Sequence, residues 1–286
     1  MSRPPVPFVV GVGRSGTTLL RLMLDAHPEV AVPPETGFIP RVATLEGERL
    51  RNRFFRVMVR QPAWPDYGIP EEDFRRALRG IEDFTVAEGV RCFYATYALA
   101  RGKARYGDKT PPYRAHMPLI ETLLPETRFV HLVRDGRDVA LSRRGLWFEG
   151  GQTVADVARA WREGVETARA GGRAVARYLE VRYEDLVADP GAELRRVCAF
   201  VDLAFDPAML RYHEGASERL GEIGDRYARD GSLRSARDQR LAALQSTTRP
   251  PDAGLAGRWK RDMGEADRAE FEREAGGLLR ELGYAP

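Results

Sequence analysis

The sequence predicts an α/β fold of three layers, a central parallel sheet flanked by helices. Two observations predict it. Apolar strand-like runs recur at residues 6–10, 128–133 and 179–183, and each leads through a turn into a helical pattern. Strands that alternate with helices imply parallel pairing with both faces of the sheet covered. The bulk numbers fit one globular domain over residues 1–286, with 43% hydrophobic and 30% charged residues.

In chain order, residues 6–10 (VPFVV) read as a buried strand, and 17–26 as a helix with apolar Leu19, Leu20, Met23 and Leu24. A short strand comes next at 30–32, and Pro33-Pro34 break the pattern. Residues 45–105 read as mostly helical. One amphipathic run is ERLRNRFFRVMVR, a second begins PEEDFRRAL with acids in its first turn, and a third covers roughly 86–101. RFVHLV (128–133) is the second main strand, 153–170 is a helix around Trp161, and LEVRY (179–183) is the third strand. EDLVADP starts another helix, and EADRAEFEREAGGLLRELGY is a last helix that docks on the body.

Composition narrows the function. The net charge of +3 is modest, and no nucleic-acid partner is expected. Its basic residues are almost all arginine, with Lys103, Lys109 and Lys260 the lysines. Arginine suits forked contacts to phosphate or carboxylate, although a coding bias explains it equally well. Cys92 and Cys198 lack metal-ligand spacing, which favours a reduced, cytoplasmic protein without a metal. The first strand begins so early that no signal peptide is expected, and no apolar run reaches the roughly 18 residues of a membrane span. His131 reads as a core histidine and His27 as a cap at a helix end.

Ligands of such sheets sit beyond the carboxyl ends of the strands, so the three strand-to-helix turns are the candidate sites. In the first, GVGRSGTT (11–18), Gly11, Gly13 and Gly16 let the backbone approach an anion. The amides that open the helix point at it, Thr17 and Thr18 add hydroxyls, and Arg14 adds a cation. This turn makes the fold P-loop-like. The same letters fit a dinucleotide fingerprint with Glu35 as the ribose acid. They also fit a nucleotidase loop, but Thr17-Thr18 replaces its Lys-Ser/Thr, which argues against ATP or GTP hydrolysis. A third reading is a single-phosphate cradle, and a plain tight turn is the fourth. In the second turn, Arg134 at the strand end and Ser142 on the helix can grip another phosphate, with Asp138 fixing the local arginines. The alternative is an ordinary helix start on a solvated face. The third turn offers Tyr183 beside the same crevice, or merely a buried strand anchor.

Together these residues resemble a family. RSGTTLLRLMLDAHPEV, the strand leading into VRDGRDVALS, RYEDLVADP and the late GRWKRDM are similar, in order and across nearly the whole chain, to sulfotransferases that use 3′-phosphoadenosine-5′-phosphosulfate (PAPS). The tyrosylprotein sulfotransferase branch is the nearest, because RSGTT is followed by DAHP and by ETGFIPR (35–41). The resemblance implies that Arg14, Ser15, Gly16, Thr17 and Thr18 hold the 5′-phosphosulfate. It implies that Arg134 and Ser142 hold the 3′-phosphate and that Tyr183 lines the nucleotide site. Residues 246–260 resemble the lid over the nucleotide, with Arg258 near the phosphate. Glu35 is then the general base, Arg14 stabilises the sulfuryl group, Lys109 donates to the bridging oxygen, and Ser246 assists from the lid. Glu35 as a mere orienter of Arg14, and Lys109 in a surface ion pair with Asp108, are the plainer alternatives.

The chain also departs from that branch, whose members are Golgi-anchored and carry disulfides. Val32 stands where one of their bridging cysteines falls. Gly37 replaces an arginine that helps recognise acidic peptides, while Arg41 is retained as a substrate-binding residue. The expected acceptor is a hydroxyl on a small molecule or peptide. Residues 45–105 are expected to build its pocket, and Phe54, Phe55, Trp64 and Tyr67 either favour an aromatic acceptor or pack in the core. A monomer or homodimer is expected. A P-loop kinase or nucleotidase, a non-catalytic nucleotide-binding protein and, least of all, a dehydrogenase remain the competing functions.

Overall fold

The computed structural model describes residues 3–144, 151–227 and 231–284. Eight strands in chain order are β1 Val6–Gly11, β2 Val30–Ala31, β3 Arg105–Tyr106, β4 Asp108–Lys109, β5 Thr127–Val133, β6 Tyr178–Arg182, β7 Arg226–Tyr227 and β8 Leu233–Ser235. The central sheet has the order β4-β1-β5-β6 and is parallel throughout, as the strand–helix alternation predicts. β2 pairs instead with β3 in a separate two-stranded sheet. β7 and β8 form an antiparallel pair.

Side-chain alternation along the strands sorts the core into layers. Phe8, Val10 and Phe129 face one side, packed with the helices Leu50–Val59, Glu71–Arg79 and Val86–Leu99. Val9, Val130, Leu132 and Val181 face the other, against the helices Thr17–Asp25 and Pro190–Phe200. A third cluster joins Val133 to the helices Val154–Arg173 and Glu265–Glu281 around the fully buried Trp161. The C-terminal helix thus docks on the body as expected. Phe54, Phe55, Trp64 and Tyr67 are all buried in the first cluster, so packing is their role. No described helix is long and apolar enough to cross a membrane.

β4, like β3, β7 and β8, is not announced by the sequence, because two or three residues carry no readable period. It sets Lys109 beside Val9 of β1, at the carboxyl end of the sheet.

Candidate functional site

The turn after β1 is tight and left-handed twice, at Arg14 (φ 74°) and Gly16 (φ 91°). Gly16 is required there. A Cβ on it would lie 2.4 Å from the Tyr183 ring. Gly13 has open space where a Cβ would go, so the protein itself imposes no such demand on it. The helix Thr17–Asp25 then starts with its amides facing the sheet's carboxyl edge. Ser15 departs from the expected cradle, being 1% exposed and outside the cavity lining, with its amide bonded to the Val12 carbonyl.

Beyond this edge lie two adjoining cavities that share Arg14, Thr17, Thr18, Ala243 and Leu244. The larger, about 400 Å³, brings together Gly16, Arg134, Ser142, Tyr183, Ser246 and Arg258. Arg14 donates through Nε to Ser142 Oγ at 3.1 Å, so the first and second turns are directly linked. Arg134 lies 4.2 Å from the Tyr183 ring centre and donates to the Leu255 carbonyl at 2.6 Å. Its Nε is buried without a hydrogen-bond partner. Burial lowers the Arg14 pKa, and the charge of Arg134 lowers it further. Two guanidinium groups that repel each other at the wall of one cavity make a site for an anion.

The segment 246–260 folds over this cavity. Asp138 holds it, accepting from the Gly257 amide at 2.6 Å and the Trp259 amide at 2.8 Å. The expected role of Asp138, fixing the local arginines, is therefore minor, since its oxygen stays 3.9 Å from Arg134. Trp259 is sandwiched by Arg137, 3.4 Å from the ring centre, and Arg268 at 4.9 Å. Arg258 pairs with Asp262 at 3.2 Å.

The smaller cavity, about 270 Å³, holds Glu35 and Lys109. Lys109 Nζ donates to Glu35 Oε1 at 2.6 Å and lies 3.4 Å from Thr18 Oγ1. A surface pair with Asp108 is excluded, because Lys109 is 4% exposed and points into the cleft. The Glu35 side chain keeps 42% of its surface accessible because it opens onto the cleft. Enclosure by the cleft walls raises its carboxyl pKa, but the charges of Lys109, Arg226 and Arg240 more than reverse this, and it ends below the ordinary value. Burial lowers the Lys109 pKa, and Glu35 opposes the shift.

The loop carrying Glu35 is fixed from below. Thr36 Oγ1 donates to Asp108 Oδ2 at 2.7 Å, and Tyr94 OH donates to the same oxygen at 2.9 Å. Tyr113 OH lies 2.9 Å from Thr36 Oγ1 and accepts from the Ile39 amide at 3.1 Å. Tyr67 OH donates to the Thr36 carbonyl at 3.3 Å. The helical region 45–105, expected to build the acceptor pocket, therefore supports the loop that carries Glu35 and lines neither of the two cavities. Sequence reasoning missed this polar cluster, as well as Arg21, Arg226 and Arg240 in the cleft wall. Arg21 had a signal, standing one helical turn after Thr17 and Thr18 on the same face. Arg41 is exposed on the short helix Ile39–Val42 and is not among the residues lining the two cavities. Among the described residues no group of His, Cys, Asp and Glu is placed to hold a metal.

Arg14 and Arg134 at one cavity, and the adjoining Glu35–Lys109 pair, thus meet at the carboxyl edge of a parallel sheet. A family model described as the sulfotransferase family matches residues 5–207, and the chain belongs to that family. It is similar to the chicken (Gallus gallus) protein-tyrosine sulfotransferase 2, 30% identical over 220 residues, covering 73% of this chain and 54% of that protein. The chain thus spans little more than half the length of that curated relative. Among solved structures it is similar to the sulfotransferase domain from the Synechococcus PCC 7002 olefin synthase, with a TM-score of 0.64, 26% identity and coverage of 98% of this chain and 96% of that one. The fold is also that of mouse sulfotransferase SULT7A1 complexed with PAP, with a TM-score of 0.53, 14% identity and coverage of 99% and 88%.

Proposed function

We propose that the chain transfers a sulfuryl group from PAPS to an acceptor hydroxyl. The observation that carries this reading is the pair of arginines, Arg14 and Arg134, brought from two different turns to one cavity beside Glu35 and Lys109. A nucleotide with two separated phosphate groups fits such a pair, and the buried, unpartnered Nε of Arg134 fits an anion. The relative of the same fold that holds PAP supports the choice of nucleotide. Arg134 and Ser142 bind the 3′-phosphate, Tyr183 lines the nucleotide site, and Gly16, Thr17, Thr18 and Arg14 face the 5′ side. Ser246 and Arg258 close over it from the lid.

In the transfer the bond between sulfur and the phosphate oxygen breaks and a bond between sulfur and the acceptor oxygen forms. Glu35 takes the acceptor proton. Lys109 and Arg14 neutralise the charge that gathers on the leaving phosphate, and the rest is positioning. The products are a sulfate ester and adenosine 3′,5′-bisphosphate. In the nucleotide-free protein the lowered pKa keeps Glu35 ionised well into acid, so an NMR pH titration of its carboxyl group should find the midpoint below the usual glutamate value of about 4.3.

Calorimetric titration with adenosine 3′,5′-bisphosphate, ADP, ATP and NAD tests the reading. Selective binding of the bisphosphate, with the preference lost in Arg134→Ala, is expected. Glu35→Ala should bind it normally while losing about 10² to 10⁴ in turnover. Equal affinity for ADP and the bisphosphate would remove the 3′-phosphate clamp and return the kinase reading to the front. Normal turnover in Glu35→Ala would remove Glu35 as the base.

A further inference from the structure

The smaller cavity carries more positive charge than the proposed transfer uses, and the role assigned to that excess rests on sulfuryl transfer at this site. Its described lining holds Arg14, Arg21, Arg226 and Arg240 besides Lys109, against Glu35 as the one carboxylate. Lys109 is matched by Glu35 at 2.6 Å. Arg14 is engaged with Ser142 on the nucleotide side. Arg21 donates to the Val32 carbonyl at 2.9 Å and approaches Glu222 at 3.4 Å.

Arg226 and Arg240 remain. Arg226 begins β7, and Arg240 lies on the short helix Arg237–Ala242 beyond β8. Both lean on a single carboxylate, Asp66, with Arg240 at 2.8 Å and Arg226 at 3.7 Å. Asp66 is 1% exposed and also accepts from the Gly224 amide at 2.9 Å. Arg240 also donates to the Gly224 carbonyl, but among the described residues the two guanidinium groups share one balancing carboxylate, and one positive charge is left over at the cleft wall. The Arg226 side chain is partly exposed on the cleft, and its buried Nε has no hydrogen-bond partner. Both arginines lower the pKa of Glu35, so their field reaches the place where the acceptor hydroxyl must lie.

We propose that Arg226 and Arg240, anchored by Asp66, select an acceptor that carries an oxyanion, carboxylate or phosphate, close to its reacting hydroxyl. These residues determine specificity and do not touch the sulfuryl group. The rival account is that the two arginines only fasten their segment to Asp66.

The test compares matched acceptors on the full chain saturated with adenosine 3′,5′-bisphosphate, with binding read by ligand-observed NMR. The carboxylate pair is 4-hydroxyphenylacetate and its amide. The phosphate pair is glycerol 3-phosphate and glycerol. The anionic member of at least one pair should bind about tenfold tighter or more, as charge-assisted hydrogen bonds warrant. Which pair shows the larger ratio identifies the anion. The double variant R226Q/R240Q should erase that ratio while the affinity for the bisphosphate holds. Arg226→Gln alone, which leaves the Arg240–Asp66 pair in place, serves if the double variant does not fold, and it should lower the ratio too. Equal binding within both pairs, no binding by either anion at millimolar concentration, or an unchanged ratio in the variants overturns the proposal. Binding of the bisphosphate is measured first. Its absence sinks the sulfuryl-transfer reading, whereas its presence without an anion preference sinks this inference alone.

Discussion

Asp108 sits under the loop that carries Glu35 and has no direct part in the proposed chemistry, yet its carboxyl group ties stability to pH. Its burial raises the carboxyl pKa to about 6, and hydrogen bonds from Thr36 and Tyr94 only partly offset that burial. In the unfolded chain the same group titrates near 3.9. The folded protein therefore holds this proton where the unfolded chain has lost it. The stabilisation is fully present below about pH 4 and disappears as pH rises through about 6. Asp108→Asn keeps an acceptor for Thr36 and Tyr94 but cannot titrate. Wild-type stability relative to this variant, from denaturant unfolding, should fall by on the order of 3 kcal/mol between pH 4 and 6. A flat difference across that window would mean that Asp108 is ionised throughout. Glu35 itself was legible in the sequence because it comes after the glycine turn, in ETGFIPR. The residues beneath it were not, because Thr36, Tyr94, Asp108 and Tyr113 meet only when three separate segments pack together.

Each strand-to-helix turn carries the site through backbone geometry as much as through side chains. Gly16 is left-handed and sits against Tyr183 of the third turn, so the first and third turns touch at one glycine. Gly16→Ala places a methyl group 2.4 Å from that ring and forces an alanine to φ 91°. It should cost a few kcal/mol in stability and displace Tyr183 from the nucleotide cavity. Gly13→Ala meets nothing and should melt like wild type. Thermal melts of the two variants check the contrast, and equal melting temperatures would show that the turn yields more easily than its packing implies. These turns were readable because long apolar runs precede them. Arg226 and Arg240 were not, since β7 and β8 have two and three residues and Asp66, which both arginines meet, lies about 160 positions before Arg226.

The described residues arrange three clusters of core around the central sheet, and the two adjoining cavities open beyond its carboxyl edge. Parallel topology explains why that edge was predictable: carboxyl ends of neighbouring strands lie together, and helices begin there. The sequence could therefore bring Arg14, Arg134, Ser142 and Tyr183 from three turns to one cavity. It could not locate Ile223, Arg226, Arg240, Ala243 and Leu244 in the wall of the smaller cavity, because they come from a stretch with no period or glycine signature. Nor could it separate the core role of Phe54, Phe55, Trp64 and Tyr67 from a binding role, because burial is a property of packing.

The 2.6 Å pair between Lys109 and Glu35 has a consequence in time. While the two ions hold each other, the carboxylate is engaged and has little appetite for a proton. A phosphate oxygen that draws Lys109 toward itself sets Glu35 loose. If Glu35 is the base, as proposed, the donor nucleotide primes it, and the reaction should proceed in a fixed sequence, nucleotide first and acceptor second. Initial-rate measurements reveal it: an unreactive acceptor analogue should inhibit uncompetitively against the donor. Noncompetitive inhibition would mean that either partner can arrive first, and that the acid and the lysine separate without help.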